Sequence, residues 1–567
     1  MDTLTLRLER WFSTEPDAPA FHFAATGHQD VTVTWRAIDL TSRRLVACLA
    51  RKGVAVGDTV AILVEQSPEL VYSFVACLRL GAIPTILPVP SNRLHPEQWK
   101  RGFEGLQATC SPRCVIAGEA LAAVLERNGL LAASTVLLRP EDALAEESIA
   151  DVPFPCGECD SIALLQHSSG TTGMQKGVAL THGAVLSHVD AYAKEIRLSQ
   201  SDVVVSWLPL YHDMGLIACL MLPLMTRTRL VLMSPFDWVL NPALLFQTIS
   251  RHLGTLVWLP NFGYNFCAKR IRDTDLGGVR LDSLRAVINC SEPMRIDSHR
   301  MFHERFAPYG LRFDALATCY AMAENTFAVT QGGIRGPVVT DTIDRTGLSR
   351  SGTAVPVDPG DPKGITLLSV GTPLDGVEIR MVDALRSETG ERQVGEIAIR
   401  SPWMLHGYYR RPDLDAEAIV DGMYFTGDLG YRVGREYFVT GRKKDLIIVA
   451  GSNYYPHDIE AAAGEVPGVI EGRSAAFGWT NHETGTEEIV LIVETETPDG
   501  PESLRIRSRI HGSIADATGC SVSRVVLVPP RWLVKTSSGK VARSANRERL
   551  LQMGLAAQCG LGDGGIA

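Results

Sequence analysis

The chain has 567 residues, 45% of them hydrophobic and 21% charged, with a net charge of −9. That is more than one core usually serves, so at least two domains are expected, and the acidic balance gives no support to broad nucleic-acid binding. The start, Met1-Asp2-Thr3-Leu4-Thr5-Leu6-Arg7, lacks the basic and apolar regions of a secretion signal. The longest apolar run, Met214–Met225, contains Pro223 and is too short for a membrane span. A cytoplasmic protein is the expectation. Twelve cysteines in so long a chain do not form a disulfide framework. Cys156 and Cys159 have redox or zinc spacing, but no second pair accompanies them, so they read as a coincidental loop pair.

Taken in order, Val60–Val64 predicts a buried strand, Pro68–Leu80 a helix stopped by Gly81, and Ile83–Leu87 a second strand. This β-α-β unit favours a parallel sheet. After Ser161–Gln166, a further strand, comes Gln-His-Ser-Ser-Gly-Thr-Thr-Gly-Met-Gln-Lys-Gly at 166–177. Val185, Val189, Tyr192 and Ile196 then recur at helical spacing. The picture is a glycine-rich loop between a strand and a helix. Glycines let backbone N–H groups close around an anion, hydroxyls add donors, and Lys176 adds a mobile charge. The pattern is not a Walker A loop, because Gly177 follows Lys176. A flexible polar surface loop is the plainer alternative.

Strands are expected at Val203–Leu208, Leu230–Ser234, Thr255–Leu259 and Arg285–Asn289, with a helix at Pro242–Leu253. A large α/β body therefore runs to about residue 335. The segment 332–364 is polar, weakly periodic and insertion-like, and loops of that length are usually functional or mobile. Residues 365–439 look β-rich, with strands at Val377–Val382, Glu396–Arg400 and Glu436–Val439. Past Leu446–Val449, a strand at Glu487–Glu494, a helix at Ser503–Ala517 and a strand at Val522–Leu527 make a small α+β unit. The domain expectation is 1–441 large, 442–446 hinge, 447–552 small, and a glycine-rich tail at 553–567 expected to be disordered.

Five other stretches carry reactive side chains: Trp207-Leu208-Pro209-Leu210-Tyr211-His212-Asp213, Tyr320-Ala321-Met322-Ala323-Glu324 after a helix-like run, the turn Tyr424-Phe425-Thr426-Gly427-Asp428, Gly441-Arg442-Lys443-Lys444-Asp445, and Lys535-Thr536-Ser537-Ser538-Gly539-Lys540. Each alone has a plain reading: a structural histidine, a solvated helix charge, a turn aspartate, a loop lysine. Together with the glycine loop, and in this order, they resemble the adenylate-forming (acyl-activating) enzymes, closest to the fatty acyl-AMP ligases and acyl-CoA synthetases. The resemblance spans about residues 30 to 545. Met233–Ile271, with Pro260-Asn261-Phe262-Gly263-Tyr264, and Asp445–Glu460 point to the fatty acyl-AMP ligase branch, as does the 332–364 insertion.

The resemblance implies a large α/β domain with a β-rich subdomain, a mobile α+β C-terminal domain, and two half-reactions. A carboxylate attacks the α-phosphorus of ATP, giving acyl-AMP and pyrophosphate, and a thiol then takes the acyl group. A carboxylate is a weak nucleophile that the phosphates repel, so alignment and charge neutralisation must supply most of the rate. By the same resemblance, Ser168, Ser169, Gly170, Thr171, Thr172, Gly173 and Lys176 hold the phosphates, and Thr171 and Glu324 bind Mg²⁺. Ser291 and Glu292 lie in the adenine wall, Tyr320 faces the adenine, and Asp428 and Arg442 meet the ribose. Lys540 reaches the α-phosphate and acyl carboxylate, His212 and Glu324 complete the catalytic set, and Asp445 is the hinge. Trp207, His212, Trp258 and Asn261 fall at the acid pocket. The thiol belongs to coenzyme A or a carrier protein's phosphopantetheine.

Two departures stand out. Tyr320-Ala321-Met322-Ala323-Glu324 has alanine where many relatives have glycine. Trp258 stands where long-chain ligases carry small residues. It either fills the acyl channel, implying a short, compact or cyclic acid, or simply packs in the core. Rival readings are a non-catalytic nucleotide-binding module, a phosphate-binding hydrolase, and a long-chain fatty acyl-AMP ligase.

Overall fold

A computed structural model describes residues 2–27, 30–90, 96–144, 158–168, 176–449, 451–481, 486–536 and 539–553. Its centre is a nine-stranded mixed sheet. The order is Thr372–Pro373, Ala328–Gly332, Leu316–Ala321, Ala286–Asn289, Leu256–Leu259, Val203–Ser206, Arg229–Met233, Pro19–Ala24 and Val31–Thr34. The interior pairs are parallel and the outermost ones antiparallel. Val203–Ser206, Leu256–Leu259 and Ala286–Asn289 are buried at every residue, as strands covered on both faces must be. Their carboxyl ends point one way and deliver Trp207, Pro260-Asn261, Cys290-Ser291 and Met322–Glu324 to one crevice, where open α/β sheets bind ligands.

A four-stranded parallel sheet, Ile83–Ile86, Thr59–Leu63, Cys114–Ala117 and Val136–Leu138, contains the expected β-α-β unit. Its helix is Pro68–Leu80, with Gly81 left-handed at the end. The β-rich subdomain holds Glu378–Val382, Gly395–Arg400, Met423–Val433, Ile419–Val420 and Glu436–Arg442.

The small C-terminal domain has a sheet of Val469–Asn481, Thr486–Thr495 and Arg524–Val528. Ile489, Leu491 and Val493 pack on one side with Ile459, Ile506 and Ile510, while Val490 and Ile492 pack on the other with Phe477, Trp479 and Trp532. This is the period-2 alternation of a strand buried on both faces.

Four sequence readings change. The glycine loop joins two strands rather than a strand and a helix: Ile162–Ser168 pairs antiparallel with Lys176–Thr181, and the helix His182–Glu195 follows. Tyr320 lies on a strand, not after a helix-like run. The Tyr424–Gly430 turn is the middle of the Met423–Val433 strand, where Gly427 has φ +72° and the register slips between Leu429 and Gly430. Only glycine fits at 430, because a Cβ there would lie 2.5 Å from the Phe438 carbonyl oxygen. Turn composition thus marks a bulge inside a strand.

The 332–364 segment is also built rather than loose. Thr340–Asp344 pairs with Gly364–Leu368, and Asp344 caps the helix Arg345–Ser351 by accepting from the Gly347 N–H at 2.7 Å. Ile343, Leu348 and Ala354 bury themselves against Tyr431 and Phe438 of the β-rich subdomain and Tyr455 of the small C-terminal domain. The 554–567 tail lies outside the described residues.

Candidate active site

The crevice begins with Tyr320, Asp428 and Arg442. The Met423–Val433 and Glu436–Arg442 strands pair Asp428 with Arg442, and Arg442 Nε donates to Asp428 Oδ1 at 3.1 Å. Tyr320 Oη donates to Asp428 Oδ2 at 2.7 Å. Asp428 raises the Arg442 guanidinium, and burial, then Asp428, pushes the Tyr320 phenol well above its ordinary value. A flat ring, a carboxylate and a guanidinium in one corner suit a nucleoside.

Across the crevice, Gly407–Tyr408 joins the Lys176–Thr181 strand as the third member of the hairpin sheet. Tyr408 Oη donates to Glu324 Oε1 at 3.0 Å and shares a second 3.0 Å bond with Tyr424, and the Lys176 ammonium lies 4.9 Å from the Tyr408 ring centroid. Tyr408 therefore ties the loop's lysine to Glu324. Sequence reasoning missed it, since a two-residue strand has no periodicity; the aromatic pair after Gly407 was the available signal. Burial raises the Glu324 carboxyl. Gln166, just before the loop, is buried with both amide atoms unpartnered. Ser169, Gly170, Thr171, Thr172 and Gly173 lie outside the described residues, and Ser168 is described as the backbone partner of Lys176.

His212 Nδ1 sits 2.5 Å from Asp213 Oδ1, which also accepts from the Met214 N–H at 2.7 Å. The π-helix Met214–Met221 follows, packed so closely on the preceding turn that a Cβ at Gly215 would meet the Pro209 oxygen at 2.1 Å. Burial alone would raise the Asp213 carboxyl; His212, and with it Lys540, outweigh burial and hold it low. Asp213 stood in the motif without an assigned role.

Lys540 comes from the small domain. The Thr536–Lys540 turn is closed by the Thr536 N–H donating to the Lys540 oxygen at 2.8 Å, with Gly539 at φ +86°. The Lys540 ammonium is pushed down by burial, against the pull of Glu292 and Asp213, while Arg442 pushes it further down. Two of the carboxylates acting on it, Glu292 and Asp213, belong to the large domain. Ser291 has φ +71°, a strained value for a non-glycine residue, and Glu292 Oε2 accepts from the Phe262 N–H at 2.9 Å. Asp445, the residue expected at the hinge, accepts from Arg543 at 2.9 Å, and Arg543 also clasps Glu460.

Among the residues expected at the acid pocket, Trp207 stacks on Trp238 with centroids 3.6 Å apart, and Phe262 meets both rings edge-on. Trp258 is fully buried, and its Nε1 donates to Tyr192 Oη at 3.0 Å. Tyr192 in turn donates to Gln331 Oε1 at 2.9 Å. Asn261 is buried, accepting from Asn289 at 3.1 Å and from the Arg295 N–H at 3.2 Å, and donating to Ser298 at 3.1 Å. Its amide thus positions the Cys290–Arg295 turn. Among the described residues no cluster of three or more His, Cys, Asp or Glu could hold a metal, and Cys159 donates to the Asp2 oxygen.

A sheet whose carboxyl edge meets the Tyr320–Asp428–Arg442 corner, a hairpin that carries Lys176, and a second lysine from a small domain fit an ATP-dependent ligase that activates a carboxylic acid as its acyl-adenylate. Residues 8–409 match the profile of the AMP-binding enzymes, and the chain belongs to that family. It is 32% identical over 518 residues to a 4-hydroxyphenylalkanoate adenylyltransferase of Mycobacterium tuberculosis, covering 87% of this chain and 82% of the relative. It is 30% identical over 564 residues to the long-chain-fatty-acid–AMP ligase FadD26 of the same species, covering 94% and 95%. A solved structure from a study of fatty acyl-adenylate ligases of E. coli and L. pneumophila superposes with a TM-score of 0.88 at 28% identity, covering 98% of both chains. No described helix is long and apolar enough to cross a membrane.

Proposed function

We propose that this ligase adenylates a short, compact or cyclic carboxylic acid and passes the acyl group to a thiol. The carrying observation for the adenylation chemistry is Lys540, reaching from the small domain into the field of Asp213 and Glu292. In this reading an acid oxygen attacks the α-phosphorus, the bond to the β-phosphate oxygen breaks, and pyrophosphate leaves. Lys540 draws the acid carboxylate and α-phosphate together and offsets their repulsion. Lys176 and the glycine loop hold the leaving pyrophosphate. Asp428 accepts the ribose hydroxyls beside Arg442, Tyr320 lies against the adenine, and Ser291 and Glu292 shape its wall. Glu324 supplies a hard carboxylate oxygen opposite Lys176, which fits Mg²⁺, and a bound Mg²⁺ would neutralise phosphate charge. His212, oriented by Asp213, borders the acid. Asp445 is the hinge, and the small domain turns about it between half-reactions.

Trp258 supports the compact acid. It is fully buried and pinned to Tyr192, so it closes off space rather than swinging aside. The relative named for 4-hydroxyphenylalkanoates suits the same reading. A long-chain acid is the second reading, favoured by Phe262, which is partly exposed and meets both stacked tryptophans edge-on.

The thiol acceptor is a carrier-protein phosphopantetheine rather than coenzyme A. Support comes from the 332–364 module, which packs on Tyr455 and so tethers the small domain to the β-rich subdomain. None of the ten described cysteines sits in a disulfide, which suits a reducing cytoplasm. The test is an acid panel scored for pyrophosphate release, with coenzyme A and a holo carrier protein as competing acceptors. Aryl and short acids should lead, and Lys540→Ala should lose adenylation by about 100-fold while still binding ATP. A profile peaking at dodecanoate or longer would sink the compact-acid reading, and near-normal pyrophosphate release by Lys540→Ala would remove Lys540 from its role.

A further inference from the structure

Two ion pairs join the domains away from the chemistry. Arg295 ends the turn that carries Ser291 and Glu292, and its guanidinium donates to Asp458 Oδ1 at 3.0 Å. Asp458 lies in the first turn of the Pro456–Gly464 helix, just past the hinge. The second pair is Lys269, in the last turn of the Asn261–Arg270 helix, with Glu471 on the Val469–Asn481 strand. Both place the cation on the large domain and the carboxylate on the small one. Both also rest on the same support: Asn261 begins the helix that carries Lys269, and its side chain accepts from the Arg295 N–H. The anchor points are thus rigid with respect to the nucleotide wall.

We propose that Arg295–Asp458 and Lys269–Glu471 form a two-point electrostatic latch that stabilises the pose in which Lys540 lies in the nucleotide site. Neither pair touches Lys540, Asp428 or Glu324, so the latch acts on domain position and not on the reacting atoms. All four side chains are partly exposed. Each pair is therefore modest, shifting the equilibrium by about threefold, and both are screened by salt. A weak latch suits a domain that must also leave: it biases the pose without trapping it. The proposal rests on the adenylation reading for the meaning of that pose.

The test uses the full chain and four variants: Arg295→Glu, Asp458→Arg, the double swap Arg295→Glu/Asp458→Arg, and Lys269→Glu. Limited trypsin digestion reports hinge exposure through the fragments cut after Arg442, Lys443 or Lys444, and single-turnover pyrophosphate release reports adenylation. At low ionic strength each single reversal should raise hinge cleavage and slow adenylation by about threefold. The double swap should return both readouts to within about twofold of the wild type. Wild-type hinge cleavage should rise with salt, and that rise should shrink in the single variants. The latch is overturned if the single reversals match the wild type at low salt, or if the swap behaves like the worse single variant. Wild-type pyrophosphate release that ignores added acid would instead refute the adenylation reading, while hinge cleavage would still decide the latch.

Discussion

Tyr192→Phe removes one oxygen from the centre of the large domain, and its cost can be worked from the contacts. The Tyr192 hydroxyl accepts from Trp258 Nε1 at 3.0 Å and donates to Gln331 Oε1 at 2.9 Å. All three side chains are buried, so no water replaces the lost atom. The variant leaves one donor and one acceptor unpaired, at about 1–3 kcal/mol each, for a total of about 2–6 kcal/mol. Gln331 keeps its amide bonds to the Thr318 and Gly332 oxygens and cannot turn to compensate. Trp258→Phe removes the donor itself, so in Tyr192→Phe/Trp258→Phe only the Gln331 oxygen is orphaned. The double variant should therefore fall short of additivity by about 1–2 kcal/mol. Urea unfolding of the ligand-free protein, followed by far-ultraviolet circular dichroism, measures both quantities. A Tyr192→Phe cost below about 0.5 kcal/mol, or additivity within about 0.3 kcal/mol, would refute the buried chain as the element pinning Trp258.

Trp258→Leu should widen the acid pocket and shift relative kcat/KM toward longer acids by about tenfold; an unchanged acid profile would mean that Trp258 packs without bordering the substrate. Glu324→Gln should raise the melting temperature of the ligand-free protein at pH 7.5 while cutting adenylation by about 100-fold. The sign follows from linkage: burial lifts the folded-state Glu324 pKa above the ordinary 4.5, so the stabilising proton is lost as pH rises through that folded value. The advantage of glutamine should vanish below the unfolded-state value, and a lower melting temperature at pH 7.5 would contradict it. Lys540 is held below the ordinary lysine value of 10.5, so its cation is lost earlier than usual as pH climbs. Adenylation should decline on that alkaline limb, and residual Lys540→Arg activity should stay flat there, since arginine remains charged. A shared alkaline limb in both proteins would assign it to another group.

Composition, period and motif order determined much of this protein. Continuous apolar runs such as Val203–Ser206 could only be strands covered on both faces, and Pro68–Leu80 carried its own start and stop. Motif order singled out Tyr320, Asp428, Arg442 and Lys540 as candidates for one kind of chemistry. Tertiary structure decided what local pattern cannot encode. Gly427 and Gly430 looked like a turn, because turn residues and bulge residues share the same backbone needs. Tyr408 had no local signature, since its role exists only where the hairpin sheet brings Lys176 and Glu324 to either side of its ring. Residues 332–364 read as a loose polar segment because their apolar side chains are few and bury against Tyr431, Phe438 and Tyr455, far along the chain. No local pattern showed that the Trp258 indole N–H would donate to Tyr192, or that Asp458 would come within 3.0 Å of Arg295. Sequence specifies which groups are present and how each segment repeats; which groups face one another across a sheet or a hinge follows from long-range register and packing.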